Sequence, residues 1–417
     1  MNRTKRSPLF LMALTIFIDF AGFGIVLPLL PFWAERLGAG PVGVGLVLTM
    51  YALAQFLFTP VLGTLSDRYG RRPVILASLV IQALAFAFSA LAGSLPILLA
   101  ARFIGGLGAS NIGSAQAVVS DVTPVEKRAQ GMGLIGAAIG LGFVVGPALG
   151  GVLAPLGPAV PFWIAMIVAL ANALLVLRFL PETRHMGVRR ASVPFARSGR
   201  GAVFISWGRV LRNPVVARLV VINLFFTIAF TAMETVFPLF TQHSFGWTAR
   251  QNGYIFTYAG IVIVLMQGGM IGQLVRRWGE RSLLIAGLLM LAAGLALLSR
   301  SANLALLLVA LGIVSLSDGA VTPMVSALLS FASPPDAQGE MLGLAQGVAG
   351  LGRVIGPLAA GSTFAIGGAS APFLLGSVLV VLAALIALPA LSIKHEVPLT
   401  HSIPDAQPVS TVQDRSS

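Results

Sequence analysis

The 417-residue chain has no cysteine, only 10% charged residues and just four histidines. Without cysteine there is no disulfide framework, no thiolate metal site and no thiol nucleophile. A soluble protein has roughly 25% charged residues. At this length it would form two or three domains, each with a polar skin, and 27 basic and 14 acidic side chains do not supply that skin. The histidines, His185, His243, His395 and His401, all fall outside the apolar runs. No histidine cluster for a metal and no serine–histidine pair within a span is therefore expected. A G-x-x-x-x-G-K-S/T phosphate loop is missing, which excludes ATP as an energy source. These absences exclude a soluble enzyme and a disordered scaffold, and no cofactor is expected.

What the chain does have is apolar residues (57%), 47 glycines and a mean hydropathy of +0.92. A helix of about 20 apolar residues crosses a bilayer core. Twelve such stretches occur, at roughly 9–33, 43–64, 74–93, 96–120, 130–154, 161–180, 214–240, 251–274, 282–299, 304–330, 341–365 and 372–393. They are too long, and lack the period-two alternation, for a membrane barrel. The basic start and the apolar run after it resemble a signal peptide. No small-residue cleavage site follows, however, and the run carries Asp19, so it is expected to remain as the first span.

The net charge of +13 reports topology rather than nucleic-acid binding. Arg3, Lys5, Arg6, Arg68, Arg71, Arg72, Lys127, Arg128, seven arginines between 184 and 212, Arg276, Arg277 and Arg281 all fall on one side of the predicted spans. The other side holds only Arg36, Arg250 and Arg300. By the positive-inside rule both termini are expected in the cytoplasm. Membrane lipid is the expected surround, with anionic lipid attracted to the central basic loop.

The polar interruption at 181–213 separates six spans from six. The expected organisation is a bundle over 1–180, a basic linker over 181–213, a second bundle over 214–393 and a flexible tail over 394–417. VFISWGRVL in the linker fits a short amphipathic surface helix. The halves repeat at a shift of 210: Gly142, Gly146, Pro147 and Gly151 recur as Gly352, Gly356, Pro357 and Gly361, Ser120 and Pro124 as Ser330 and Pro334, and Pro28 as Pro238. A repeated six-span unit is a transporter signature, with the site near the midplane between halves that rock about it.

GTLSDRYGRRP (63–73) resembles the signature loop of the major facilitator superfamily. GQLVRRWGERS is its degenerate second copy, keeping Gly272, Arg276 and Gly279. RFIGGLGAS from Arg102 resembles the signature of helix 4, and GFVVGPALGG from Gly142 that of helix 5 in proton-coupled exporters. IDFAGFGIVLPLLP is similar to helix 1 of the tetracycline exporters and their multidrug relatives, and LPET after helix 6 fits as well. The resemblance covers residues 9 to 393. It implies an all-α membrane fold of two six-helix bundles with pseudo-two-fold symmetry, working as a monomer in a bacterial inner membrane. The acidic residues that tetracycline exporters carry in helices 3 and 9 have no counterpart here; Gln82 is the nearest polar residue in helix 3.

In the signature loop, Gly63 permits close helix approach and Gly70 a tight turn. The resemblance makes Asp67, among Arg68, Arg71 and Arg72, a latch that joins the halves in the outward-open state, with Arg71 or Arg72 paired to Asp121. Gly142, Gly146 and Gly150 lie four apart on one helix face and leave a bare stripe for close packing, and Pro147 can bend the helix. This stripe is expected to form a flexible seam between the halves.

Five charged residues fall inside predicted spans: Asp19, Arg102, Glu234, Asp318 and Arg353. Each costs at least ~2.5–3.5 kcal/mol if it faces lipid at mid-depth, so each is expected to face the interior or a partner. Four of them lie in helices 1, 4, 7 and 10, which line the central cavity in the superfamily fold. Asp19 lies about ten residues into its helix, some 15 Å deep, with room left by Gly22 and Gly24. A carboxylate there can exchange protons with either face, and if substrate needs its ionised form, proton and substrate compete. An ion pair with Arg102 is the structural alternative. Asp19, Arg102 and Glu234 are the candidate proton-coupling residues. Candidate substrate contacts are Asp19, Phe23, Tyr51, Gln55, Arg102, Asn111, Phe226, Phe230, Glu234, Tyr258 and Asp318. Asp318 and Arg353 are also read as a structural pair. The function expected is proton-coupled export of small lipophilic molecules. The alternatives are a carrier of a sugar or organic anion, working as symporter, exchanger or uniporter, and a non-transporting sensor, for which no signalling domain is recognisable.

Overall fold

The computed structural model describes residues 8–124, 127–183, 213–333 and 338–388. The expected surface helix VFISWGRVL, seven linker arginines and the expected tail lie outside them. The helices are α1 (Pro8–Val26), α2 (Leu30–Arg36), α3 (Pro41–Tyr69), α4 (Arg71–Ala90), α5 (Leu95–Gly108), α6 (Ile112–Val122), α7 (Arg128–Leu153), α8 (Val160–Phe179), α9 (Pro214–Phe245), α10 (Ala249–Leu265), α11 (Ile271–Leu298), α12 (Leu304–Ala332), α13 (Gln338–Gly367) and α14 (Ala371–Ala387). Many start with proline at the first or second position, where the missing N–H costs no helical bond.

Ten helical runs are long and apolar enough to cross a membrane. One of them, Ala249–Leu298, has 50 residues and would be about 75 Å long if straight, more than twice a bilayer core of ~30 Å. It contains a π-turn at Met266–Met270 and breaks at Gly279, whose φ of 74° and ψ of 161° leave the helix. Gly70 stands between α3 and α4 with φ 109° and ψ 156°. The degenerate second copy of the loop has thus kept the backbone geometry that only glycine adopts easily. With α14, a 17-residue apolar helix, as the last, the described residues make twelve crossings. The first crossing differs from the single stretch the sequence suggests. It breaks over Leu27–Leu29 around Pro28, which has no N–H to donate, and α2 carries the chain on to the surface.

The first six crossings pack mainly on one another, as do the last six. The largest core, including Phe237, Leu288, Leu295, Val314 and Phe373, belongs to the second bundle. Leu84, Phe88, Ile167, Leu174, Val309 and Val378 point outward. In water they would be a liability; around a membrane bundle they are the lipid-facing surface.

The repeat visible in the sequence is also a repeat of contacts. A Cβ on Gly142 would meet Phe20 and Ala21 of α1, and one on Gly146 would meet Ala21 and Gly24. In the second bundle a Cβ on Gly352 would meet Thr227 of α9, and one on Gly356 would meet Thr231 and Ile228. The glycine five residues on in each helix turns to the other bundle: Gly151 of α7 faces Arg250 and Gly253 of α10, and Gly361 of α13 faces Pro41 and Val42 of α3. This corrects one expectation. Gly142, Gly146 and Gly150 do not form a seam between the halves. They pack α7 onto α1 inside one bundle, Gly150 lying against Ile25 and Leu29. Residues one helical position away, Phe143, Val144 and Gly151, cross between bundles. Pro147 serves both sides, its ring against Gly24 and its carbonyl against Gly253.

These cross-bundle contacts lie away from the face that carries Arg68–Arg72 and Arg276–Arg281, here called the basic face. At the opposite face Gly45 of α3 packs on Pro357 and Gly361 of α13, and Thr49 donates a hydrogen bond to the Val354 carbonyl at 3.2 Å. Leu239 and Phe364 of the second bundle pack into the first bundle's core. Toward the basic face, Gly63, Gly133, Gly136, Gly343 and Gly347 have no such neighbour among the described residues within 4 Å of an added Cβ. Among the described residues, the space between the bundles is sealed at the opposite face and open at the basic face.

Candidate functional site

The first half of the site begins where the fourth crossing loses its regular helix. Gly106 and Gly108 bring α5 against Tyr51 of α3 and against Ser78 and Gln82 of α4, leaving no room for a Cβ. The chain then tightens into a 3₁₀ turn, Ala109–Asn111, a feature that often marks a functional position within a helix. The turn places Asn111, whose side chain hydrogen-bonds Asp19 of α1. Gln55 donates to the Ala109 carbonyl at 3.3 Å and holds the same turn from α3.

Arg102, one turn before Gly106, is 2% exposed. Its guanidinium lies 4.4 Å from the centre of the Tyr51 ring, a cation–π contact worth ~2 kcal/mol or more when desolvated. Phe23 stacks on the other part of this cluster, 5.1 Å from Tyr51. The Tyr51 hydroxyl hydrogen-bonds Gln82. Nε and Nη2 of Arg102 have no acceptor among the described residues. The structure therefore separates Asp19 from Arg102 as an ion pair: Asp19 is held by Asn111 and Arg102 by Tyr51. Gln82, Ser78 and Ser114 complete this buried polar patch. Of these the sequence marks only Gln82, as a polar residue in an apolar span.

The second half gathers Glu234 of α9, Asp318 of α12 and Arg353 of α13 within Coulombic range of one another. No salt bridge within 4 Å joins them among the described residues, and Asp318 accepts a hydrogen bond from Thr322 at 3.3 Å. Arg353 is exposed, but its neighbour Gly352 packs on α9; the guanidinium faces this acidic pair across the bundle interior, not the lipid. Phe230 stacks on Phe226 at 6.1 Å. Phe230 is half-buried and Phe226 lies in the core. The Tyr258 hydroxyl is engaged, donating to the Leu308 carbonyl at 3.2 Å.

The gating candidates meet at the basic face. Arg71 pairs with Asp67 at 2.5 Å and with Asp121 at 3.3 Å. The Asp67 side chain is 59% exposed and reaches no described residue of the second bundle in this open form. Arg72 does not take Asp121; its guanidinium donates to the Leu177 carbonyl. Arg68 lies against Tyr69. Glu182, from the LPET segment, accepts the Arg71 and Arg72 backbone N–H groups at 2.9 and 3.1 Å. It caps the N-terminus of α4, whose orphan donors and dipole favour a carboxylate. Sequence reasoning gave Glu182 no role.

At the opposite face Glu35 hydrogen-bonds Gln242 across the bundles, and with Pro41, Leu239, His243 and Phe364 it lines a small recess. Burial there raises the Glu35 carboxyl above its ordinary range, and the bond to Gln242 partly offsets the rise. This cross-bundle contact was also unmarked in the sequence.

Two related bundles around a polar space closed at one face define a membrane transporter rather than an enzyme. A family model described as Major Facilitator Superfamily matches residues 12–282 and 268–412, and the chain belongs to that superfamily. It is 33% identical to the tetracycline resistance protein, class C, of Escherichia coli over 82% of this chain and 86% of that protein. It is 30% identical to multidrug resistance protein 2 of Bacillus subtilis (strain 168) over 86% and 90%. The crystal structure of the human organic anion transporter MFSD10 (TETRAN) is 27% identical, with a TM-score of 0.71 over 93% of this chain and all of that one. A bacterial homologue of the human lysosomal transporter Spinster, solved inward-facing, is 16% identical with a TM-score of 0.75 over 94% of this chain and 97% of that one. That likeness speaks to the fold alone.

Proposed function

We propose that this protein is a proton-coupled antiporter that exports small lipophilic, drug-like molecules by alternating access, with both termini and the basic face in the cytoplasm of a bacterial cell. It works as a monomer, with residues 1–180 and 214–393 rocking as units. The observation that carries the reading is Asp19, a carboxylate deep in the first bundle, with the neutral Asn111 side chain its one hydrogen-bond partner among the described residues, beside a buried arginine whose Nε and Nη2 have no acceptor among them. Proton and substrate compete for this carboxylate. Arg102 holds positive charge next to it without neutralising it, and Glu234 and Asp318 offer a second acidic point for a cationic group. Phe23, Tyr51 and Phe230 supply apolar wall. Gln55 and Asn111 act through the 3₁₀ turn, while Phe226 and Tyr258 support their neighbours through packing. The similarity to resistance proteins supports a drug-like substrate.

One proton crossing ~100 mV releases ~2.3 kcal/mol, and each pH unit adds ~1.4 kcal/mol. Together they sustain a substrate gradient of several hundredfold, enough for export. When the basic face closes, Asp67 leaves its exposed position and meets the N-terminus of α13, whose dipole favours a carboxylate.

The test is transport in proteoliposomes and resistance in cells lacking their own exporters. Substrate should release protons under an imposed pH gradient. Asp19→Asn should abolish coupled export while leaving some equilibrium exchange. Undiminished gradient-driven export in that variant rejects Asp19 as the coupling site. Arg353, exposed toward the inter-bundle space, favours a second reading, a carrier of an organic anion. Inhibition of transport by anions and not by lipophilic cations would select it.

A further inference from the structure

Four buried polar side chains of the first bundle lie at one depth. Thr15 of α1, Ser78 of α4, Ser114 of α6 and Asn172 of α8 each stand seven or eight residues from the end of their helix at the basic face, about 10–12 Å by helical rise. The next residue in each helix, Ile16, Leu79, Ala115 or Ala173, belongs to one shared apolar core, so the four helices meet at this level. There the Asn172 Nδ2 donates to the Thr15 carbonyl at 2.9 Å. None of the four residues is more than 3% exposed. Yet Thr15 Oγ1, Ser78 Oγ, Ser114 Oγ and Asn172 Oδ1 have no hydrogen-bond partner among the described residues. Hydroxyls elsewhere in the spans turn back to the carbonyl four residues earlier, as those of Ser89, Ser110, Thr227 and Ser317 do. This layer instead holds three hydroxyls and an amide oxygen not committed to the backbone.

The layer lies one helical turn from Asp19, on its basic-face side. Thr15 precedes Asp19 by four residues, and Ser114 follows Asn111, the hydrogen-bond partner of Asp19, by three. Residues so spaced share a helix face, with Cβ atoms ~5–6 Å apart. Two O–H···O bonds of ~2.8 Å end to end cover that span. We propose that the layer binds internal water, with at least one molecule hydrogen-bonded both to the layer and to the Asp19 carboxyl. Buried polar atoms without protein partners are what such water takes, at ~3 bonds per molecule, and hydroxyls and an amide oxygen supply both donors and acceptors for it. Water donates to a carboxylate and accepts from a carboxylic acid. Asp19 thus keeps a partner inside the bundle in either form, whatever occupies the space between the bundles. That use of the water rests on the coupling role proposed for Asp19; its binding does not.

The test uses the purified full chain. X-ray footprinting in water enriched in oxygen-18 labels side chains that lie beside bound water. Leu79, next to the layer, should take up label several-fold faster than Leu288 and Leu295, which are as fully buried in the second bundle. This measurement needs no variant to fold, and equal labelling of the three leucines overturns the proposal. Infrared spectroscopy reads the link to Asp19. The carboxyl stretch of protonated Asp19, identified by its loss in Asp19→Asn, should move to higher wavenumber in Thr15→Val, which removes the hydroxyl at nearly constant shape, and should stay in place in Thr15→Ser. A stretch that does not move in folded Thr15→Val overturns the link. Thermal melting separates a wet layer from a dry one. Removing a partner of bound water lowers the melting temperature of Thr15→Val, whereas removing a hydroxyl that bonds to nothing raises it, and a rise overturns the proposal. Undiminished export in Asp19→Asn rejects the coupling role and leaves the labelling of Leu79 unaffected, so the two failures are distinct.

Discussion

Gly253→Ala should tip the protein toward opening at the opposite face. A Cβ at Gly253 would lie 2.5 Å from the Gly151 Cα, 2.6 Å from the Gly151 nitrogen and 2.6 Å from the Pro147 carbonyl oxygen. All three are backbone atoms of the other bundle, so no side-chain rotation relieves the clash. To reach ordinary contact at 3.4 Å the bundles must part locally by roughly 1 Å, in a packing that does not deform continuously. Overpacking of this kind costs ~1–3 kcal/mol, and here the cost falls on the sealed form alone. The population open at the opposite face should therefore rise roughly 5- to 150-fold. The chain's lack of cysteine makes the measurement direct. Thr49→Cys, buried at the seal, is labelled with a membrane-impermeant maleimide from the opposite face, with and without Gly253→Ala. The control is Gly146→Ala, whose Cβ would meet Ala21 and Gly24 at 2.7 Å, but within one bundle. It should lower the melting temperature and leave labelling unchanged. Equal labelling with and without Gly253→Ala in folded protein, or the same increase from Gly146→Ala, would refute the assignment of the two glycine faces.

Three further outcomes follow from the geometry. Glu182→Ala removes the acceptor for two N-terminal amides of α4 and should cost ~0.5–2 kcal/mol, read as lower thermal stability that Glu182→Asp partly restores. Because burial raises the Glu35 carboxyl, the sealed face binds a proton more tightly than the open one. Lower pH should favour the seal, and opening should increase as pH rises above the ordinary glutamate range. Labelling of Thr49→Cys against pH reads this, in a His243→Gln background to remove the other titrating group of the recess; persistence of the same pH dependence in Glu35→Gln would rule Glu35 out. Asp67→Asn should weaken the form closed at the basic face, and normal transport with unchanged cysteine accessibility on both faces would reject the latch.

Much of the architecture could be read from the chain itself. Apolar run length sets the number of crossings, because a bilayer has one thickness, and the placement of arginine and lysine sets the expected orientation. The 210-residue shift identifies two related halves, because the same glycine spacing serves the same close approach twice. Charged residues in apolar spans mark the site, because lipid excludes them. Direction was not legible. Gly142 and Gly151 look alike in sequence, yet one packs a helix within its bundle and the other holds two bundles together, since a small helical rotation changes which neighbour a residue meets. Asp19 and Arg102 invite pairing as opposite charges, yet a 3₁₀ turn gives Asp19 to Asn111 and a ring takes Arg102. Glu182, Glu35 and Gln242 lie in surface segments where polar residues are ordinary, and only the approach of distant helices gives them partners. The tertiary structure also fixed which face is sealed, because that depends on the relative placement of two bundles that no local pattern encodes.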